Sequence, residues 1–425
     1  MTEMRQVFKE LFEKNLEIKT LSESYEAFEK SASKQESPPI HQLEMLIGSK
    51  GKYFSDSIGT HPDFLDLKEG EQRYQYICSV FVDISGSTRL GLKFPLEKVK
   101  FYKNAILRSA IEIFRLFGAH IHRLQGDALF AYFGHKALKK SDAVIQALNA
   151  ATFLQEFNRT ALTEFFEENG LEPLKIRIGV DIGNDEQVLW SHYGIGNVTE
   201  VTTTSLHTDL AAKLQHKANG NGIMIGENVY TFLDLPKEFY EVKKFVSGGE
   251  EVNDYYIVQQ PNYSMRLFKW KEYLETFLYM PKSGEQNNGR LKLVCEVEEN
   301  GIWNEYACNS RALDKQLNLR FTVIIHPSIK HMVQNVKWSV ENHGEEASAE
   351  NALFYRMESM DGKNVCQQST LYNGYHNMIC EIYDRYGKVI GLERFGVFIH
   401  NDIRPFKNLL PTLTLKEGEP DYVTT

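Results

Sequence analysis

Phe81-Val82-Asp83-Ile84-Ser85-Gly86-Ser87-Thr88 closes an apolar run, residues 74–82, bounded by polar and Gly-rich sequence. A run of that length reads as a buried strand, which puts Asp83 at the strand's end. Gly86, Ser87 and Thr88 follow it. Small residues ahead of a helix offer backbone amides and hydroxyls that line a phosphate-sized concavity. A second stretch, Arg123-Leu124-Gln125-Gly126-Asp127-Ala128-Leu129, sets Gly126-Asp127 between apolar runs at 119–124 and 128–133, the pattern of a hairpin with Asp127 in its turn. Each motif alone is ordinary turn chemistry. Two carboxylates facing one phosphate site make chemical sense when divalent cations stand between them, so the pair predicts metal-assisted phosphoryl chemistry.

Outward from these stretches, Val99, Tyr102, Ile106, Ala110, Ile113 and Phe117 recur at intervals of three or four, with Pro95 before them and Gly118 after. That spacing predicts a long amphipathic helix. Ser141 is placed to cap a second helix, whose stripe is Val144, Ala147, Leu148, Ala151 and Leu154. Residues 174–180 read as a strand interrupted by Lys175 and Arg177, 202–205 as a Thr and Ser run, 210–214 as helical, and 222–226 as a further strand. The order strand, helix, hairpin, helix, strand, helix, strand describes an α+β layer of ferredoxin-like pattern, with helices on one face of a mainly antiparallel sheet.

Length and composition bound the rest. The 425 residues suffice for two or three domains, and 42% apolar with 25% charged residues is ordinary for a globular chain. A net charge of −9 and a pI near 5.9 argue against general nucleic-acid binding. No run of about 18 apolar residues suggests a membrane span, and the charged residues 1–14 do not resemble a signal peptide, so the sequence predicts a cytoplasmic protein. Cys78, Cys295, Cys308, Cys366 and Cys380 form no C-x-x-C pair and read as buried thiols. His120 and His122 would share one side of a strand but lack a third ligand nearby, which argues against a metal site. Residues 1–50 read as helical segments (Met4, Val7, Phe8 and Leu11 on one face) with a linker at 31–39, and 51–262 as the main domain. Residues 263–312 read as an aromatic-rich connector. In 313–425, short β-branched or aromatic runs at 320–326, 336–340, 377–383 and 388–400 alternate with turns such as Asp361-Gly362, the outline of a β-sandwich with Trp338 in its core.

The two Asp motifs, 44 residues apart between Asp83 and Asp127, together with Asp209-Leu210-Ala211-Ala212-Lys213-Leu214-Gln215, resemble in order the signatures of class III nucleotide cyclases over about residues 74–258. The stretch from Val336 to Ala347, followed by Gly374-Tyr375-His376, resembles the sensor domain attached to bacterial anti-phage cyclases. The combination looks like the pyrimidine cyclases of the Pycsar defence system.

That resemblance implies two Mg²⁺ or Mn²⁺ ions held by Asp83, Asp127 and the backbone carbonyl of Ile84, and phosphates cradled by Gly86, Ser87 and Thr88. It also implies a head-to-tail homodimer in which the partner protomer completes each site. Arg123 and Thr202 fall at the family's base-contacting positions, and Thr202 replaces the aspartate that reads adenine. A Thr hydroxyl both donates and accepts and Arg only donates, which suits uracil or cytosine, with Thr202 leaning toward UTP. The family's Asn and Arg of the transition-state helix are Asp209 and Lys213 here. The implied activity is conversion of UTP or CTP to the 3′,5′-cyclic monophosphate and pyrophosphate, a second messenger made in response to an unknown phage-derived signal. An adenylate or guanylate cyclase of the same fold, a catalytically degenerate nucleotide-binding module and a pure interaction protein remain as alternatives.

Overall fold

The computed structural model describes residues 2–17, 38–254, 263–277, 290–402 and 405–406. In the N-terminal half the strands are β1 (Gln72–Tyr74), β2 (Ile77–Ser85), β3 (His120–Gln125), β4 (Ala128–Phe133), β5 (Lys175–Gly183), β6 (Leu189–Ile195), β7 (Val198–Thr204), β8 (Ile223–Gly226), β9 (Tyr240–Val242), β10 (Lys244–Ser247), β11 (Glu250–Asn253) and β12 (Met265–Phe268). Seven of them make the main sheet in the order β3-β4-β2-β5-β8-β12-β9, antiparallel throughout except for the β5–β8 pair.

Side chains alternate across this sheet, and the alternation separates two jobs. Cys78, Val80, Val82 and Ile84 of β2, with Ile176, Ile178, Val180 and Ile182 of β5, form an apolar face. It packs in one core with the helices Leu96–Leu116 and Lys140–Phe157. The helix Thr2–Glu17 adds Met4, Val7, Phe8, Leu11 and Phe12 to that core, Phe8 meeting Phe157 edge to face at 5.7 Å. The opposite face carries Ser79, Phe81 and Asp83 of β2 beside Asp181, Gly179 and Arg177 of β5.

The helix Leu206–Lys217 lies on this second face, with Ser79 Oγ 3.0 Å from Thr208 Oγ1. A Cβ on Gly179 would run into the Ala211 carbonyl and the Gln215 amide, so glycine lets helix backbone rest directly on the strand. Helices therefore cover both faces, where the sequence order suggested one. The stripe Leu210, Ala211 and Leu214 shows that this helix is buried along one side, but not under which face.

Three further expectations are corrected. Pro38-Pro39, read as linker, opens a helix (Pro38–Ile47), since proline suits the first helical turn; residues 18–37 lie outside the described residues. Ser141 does not cap its helix. Lys139 is the N-cap, and the free amides of Lys140 and Ser141 instead donate to Asp402, at 2.6 and 3.2 Å, from the far end of the chain. The region given to the connector holds β12, a strand of the main sheet, and a hairpin of the C-terminal half. That hairpin turns at Asn300-Gly301 with φ of 54° and 78°, the left-handed pair a tight hairpin favours.

The C-terminal strands are β13 (Leu291–Glu299), β14 (Ile302–Tyr306), β15 (Ala312–Leu313), β16 (Asn318–Ile325), β17 (Asn335–Asn342), β18 (Phe354–Arg356), β19 (Val365–Ser369), β20 (Gly374–Tyr383) and β21 (Val389–Ile399). They form two sheets, β14-β13-β16-β19 and β15-β21-β20-β17-β18. Trp338 is fully buried between them with Cys295, Phe321, Cys380 and Phe395, and its indole N–H donates to the Lys363 carbonyl at 2.8 Å. All five cysteines are free and buried. The two halves meet through polar bonds as well as core: Asn149 donates to the Asn309 carbonyl at 2.9 Å, the Ala312 amide to Asp142 at 2.7 Å, and His400 Nε2 lies 2.7 Å from the Phe232 carbonyl oxygen. Among the described residues no helix is long and apolar enough to cross a membrane.

Candidate active site

Asp83 lies two residues before the end of β2, opposite Ala128 on one side and Arg177 on the other. Asp127 precedes Ala128 in the two-residue turn of the β3–β4 hairpin, whose first turn residue, Gly126, has φ 65°. Strand pairing thus brings the two aspartates within one strand spacing, about 5 Å, and one residue of each other. Arg177 Nη2 donates to Asp83 Oδ2 at 2.5 Å. Ser87, buried at the start of the short helix Ser87–Lys93, donates its hydroxyl to Asp127 Oδ2. Gly86, with φ 93°, makes the sharp entry to that helix, and Thr88 is exposed beside it. Ile84 is buried in the core face, so only its backbone is available to the site.

Arg123 and Thr202 form a second group. A bulge in β3 makes His122 the extra residue, and so the consecutive side chains of His122 and Arg123 both reach β7. Arg123 pairs with Glu200, and His122 Nε2 lies 3.2 Å from the Thr202 hydroxyl oxygen. The other His122 nitrogen, Nδ1, lies 2.9 Å from the Gly59 carbonyl oxygen, which also faces His120 Nε2 at 2.8 Å; His120 Nδ1 is 3.0 Å from Ser55 Oγ. All four ring nitrogens are thereby occupied. Burial lowers the pKa of both imidazoles and drives that of neighbouring His61 down to about 3. Between the two groups, on the same sheet face, Phe81 and Phe130 stack at 4.0 Å and are only partly buried.

Asp209 and Lys213 sit one turn apart on the exposed side of the helix Leu206–Lys217. In this single chain neither makes a bond or ion pair among the described residues. Residues 268–400 match the Adenylyl/Guanylyl and SMODS C-terminal sensor domain family. Among solved structures, the adenylyl cyclase CyaB from P. aeruginosa is 17% identical, spanning 47% of this chain and 95% of its own, with a TM-score of 0.39. An Escherichia coli protein named cytidylate cyclase is 32% identical over 380 residues, 81% of this chain and 83% of its own. A Staphylococcus aureus protein of the same name is 46% identical over 415 residues, 95% of this chain and 98% of the relative. The chain belongs to the Pycsar-like class III nucleotide cyclases. As a nucleotidyl cyclase of this family it carries an N-terminal ferredoxin-like domain and a C-terminal sensor domain of β-sandwich form.

For such a cyclase the donor set at Asp83 and Asp127 fits a hard divalent cation. Each carboxylate uses one oxygen, toward Arg177 or Ser87, and leaves the other without a partner among the described residues. Among the described residues no three His, Cys, Asp or Glu side chains are placed to hold a metal ion by themselves. The protein thus offers a partial oxygen shell, which suits a hard divalent cation with further ligands from outside the chain rather than a closed cage. Sequence reasoning missed Arg177, seen only as an interruption in an apolar strand, and Glu200. It weighed His122 as a metal ligand alone. A charge inside an apolar strand was the available signal for Arg177, because a cation that is partly buried needs a partner.

Proposed function

We propose that the protein is a homodimeric cytidylate cyclase, converting CTP to 3′,5′-cyclic CMP and pyrophosphate as a second messenger in phage defence. The observation that carries this reading is identity of 46% across 98% of the Staphylococcus aureus cytidylate cyclase, and the closeness of Asp83 and Asp127 across the β2–β4 pairing supports it. The 3′ oxygen of the ribose attacks the α-phosphorus of its own nucleotide, its proton leaves, and the bond from that phosphorus to the pyrophosphate oxygen breaks. Two divalent ions, held by Asp83, Asp127 and the Ile84 carbonyl, would supply charge neutralisation and a more acidic 3′-hydroxyl.

The remaining work belongs to the chain. Ser87 fixes the Asp127 carboxylate, and Arg177 fixes that of Asp83 while keeping a cation beside the phosphate path. Gly86, Ser87 and Thr88 offer the free amides of a helix start to phosphate oxygens. Arg123, Thr202 and Lys213 serve the site of the opposite protomer, with Asp209 beside Lys213. Dimerisation is favoured by the half-covered Phe81–Phe130 stack and by the exposed tip of the β6–β7 hairpin, where Tyr193, Ile195 and Val198 lie bare.

With CTP and Mn²⁺, the purified protein should release cyclic CMP and pyrophosphate in equal amounts, followed by chromatography with mass detection. Asp83→Ala and Asp127→Ala should each release neither. Linear 5′-CMP as the product, or full activity in either variant, would contradict the proposal.

A further inference from the structure

The hydrogen bonds behind Thr202 have a direction. A carbonyl oxygen only accepts, so the Gly59 oxygen 2.9 Å from His122 Nδ1 requires the proton of a neutral His122 to sit on Nδ1. Nε2 is then a bare acceptor. The Thr202 hydroxyl, 3.2 Å away, can bond to that nitrogen only by giving it its one proton. Burial of the imidazole disfavours its charged form, which keeps this arrangement in place.

One neighbour, the Tyr132 hydroxyl, offers the Thr202 proton a second acceptor inside the protein. Thr203 donates to Thr208 at 3.2 Å, so Tyr132, 3.2 Å from Thr203, directs its own hydroxyl proton to Thr203, and its oxygen can accept only from Thr202. Whether the Thr202 proton goes to Tyr132 or to His122 Nε2, it stays within the protein. The Gly59 carbonyl is held between the two imidazoles, and the Gly59 amide donates to the Ile121 carbonyl at 3.2 Å. The acceptor that orients His122 is therefore fixed from several sides. Toward anything beyond, Thr202 presents lone pairs and no proton.

We propose that His122, oriented by the Gly59 carbonyl, makes Thr202 an obligate hydrogen-bond acceptor at the base site and so selects cytosine over uracil. The inference rests on the reading above that Thr202 and Arg123 face the base. Cytosine carries an amino donor at position 4, where uracil carries a carbonyl acceptor. Lone pairs on Thr202 accept from the first and oppose the second. A threonine with a free rotor would satisfy either, which is why the residue type alone does not decide between the bases. Arg123 only donates, and the carbonyl at position 2 that it can serve is common to both bases. The other acceptor on this patch, Glu200, is paired with Arg123. His122 is thus a positioning residue acting through Thr202.

The test compares kcat/KM for CTP and UTP in the full-length protein, with product identity read by mass. Wild type should favour CTP by about tenfold or more, as expected for one buried hydrogen bond gained against one opposed. The triphosphate of the pyrimidin-2-one ribonucleoside, which has only hydrogen at position 4, should fall well below CTP with the unaltered enzyme. His122→Phe should bring the CTP to UTP ratio toward one chiefly by improving UTP. Thr202→Val should lower CTP use, and His122→Phe added to Thr202→Val should leave the ratio unchanged, since the two act in series.

If His122→Phe lowers both substrates equally, or if wild type uses the 4-unsubstituted analogue as well as CTP, the inference is overturned. Equal cyclic CMP and cyclic UMP from wild type would overturn the inference while leaving a pyrimidine cyclase standing. A wild type making only purine cyclic nucleotides would overturn both.

Discussion

That Asp83 and Asp127 lie close together was legible because spacing and turn residues coincide in short stretches of sequence. Arg177 was not, because what gives it meaning is the neighbour across the sheet, and the pairing of β2 with β5 spans 94 residues between the bonded side chains. Arg177→Ala removes the only cation bonded to Asp83 among the described residues. It should lower kcat/KM by about 10²-fold, the scale of losing one preorganised charge contact, while near-wild-type circular dichroism shows the fold retained. Unchanged kinetics would exclude Arg177 from the site. The same limit explains Thr202, whose hydroxyl in isolation reads as both donor and acceptor and leaned the substrate toward UTP. His122 and Gly59 reach it from other parts of the chain, and in the inference above they remove the donor.

At the scale of elements, helices and strands with strong periodicity emerge as read: Leu96–Leu116, the β3–β4 hairpin and β8 match their sequence signals closely. The β6–β7 hairpin was not recognised, since each of its strands buries a single apolar residue, Trp190 or Val201, and its turn, Gly196-Asn197, follows the glycine-containing segment Tyr193-Gly194-Ile195. Its tip is where the dimer proposal becomes testable. Ile195→Glu combined with Val198→Glu places two charges on residues that are 82% and 78% exposed, so the folded monomer tolerates them. Sedimentation should show loss of the dimer together with loss of cyclase activity; an intact dimer would remove this hairpin from the interface. Beneath the same face, Gly179→Val would force the helix Leu206–Lys217 off β5 through backbone contacts that cannot rotate away. Overpacking of this kind costs about 1–3 kcal/mol, readable as a lower urea midpoint, and wild-type stability in that variant would contradict the account of the glycine.

Across the whole molecule, the sensor domain is fastened to the cyclase domain by groups that no local pattern reveals. Asp402 lies far from Lys140 and Ser141 in sequence, so a helix start that looked self-capped is closed by a residue just past the last sandwich strand. Burial alone would raise the Asp402 pKa, but bonds from His400 and Ser141 outweigh it and hold the carboxylate below its ordinary value. A depressed carboxylate contributes stability above its unfolded value of about 3.9, and that contribution is lost as pH falls through the folded value. Asp402→Asn should therefore destabilise the protein by about 1 kcal/mol at pH 7, with the difference from wild type shrinking below about pH 4. A difference that grew on acidification would contradict the capping role. The same bonds join the segment after the sandwich directly to the start of a helix of the N-terminal domain.

The central claim is the choice of substrate, and one measurement addresses it most directly. The purified protein, supplied with equal concentrations of CTP, UTP, ATP and GTP and with Mn²⁺, is assayed for all four cyclic products in one mixture. Cyclic CMP should dominate, with cyclic UMP about tenfold or more lower and the purine products lower still. Dominant cyclic AMP or cyclic GMP would contradict the account.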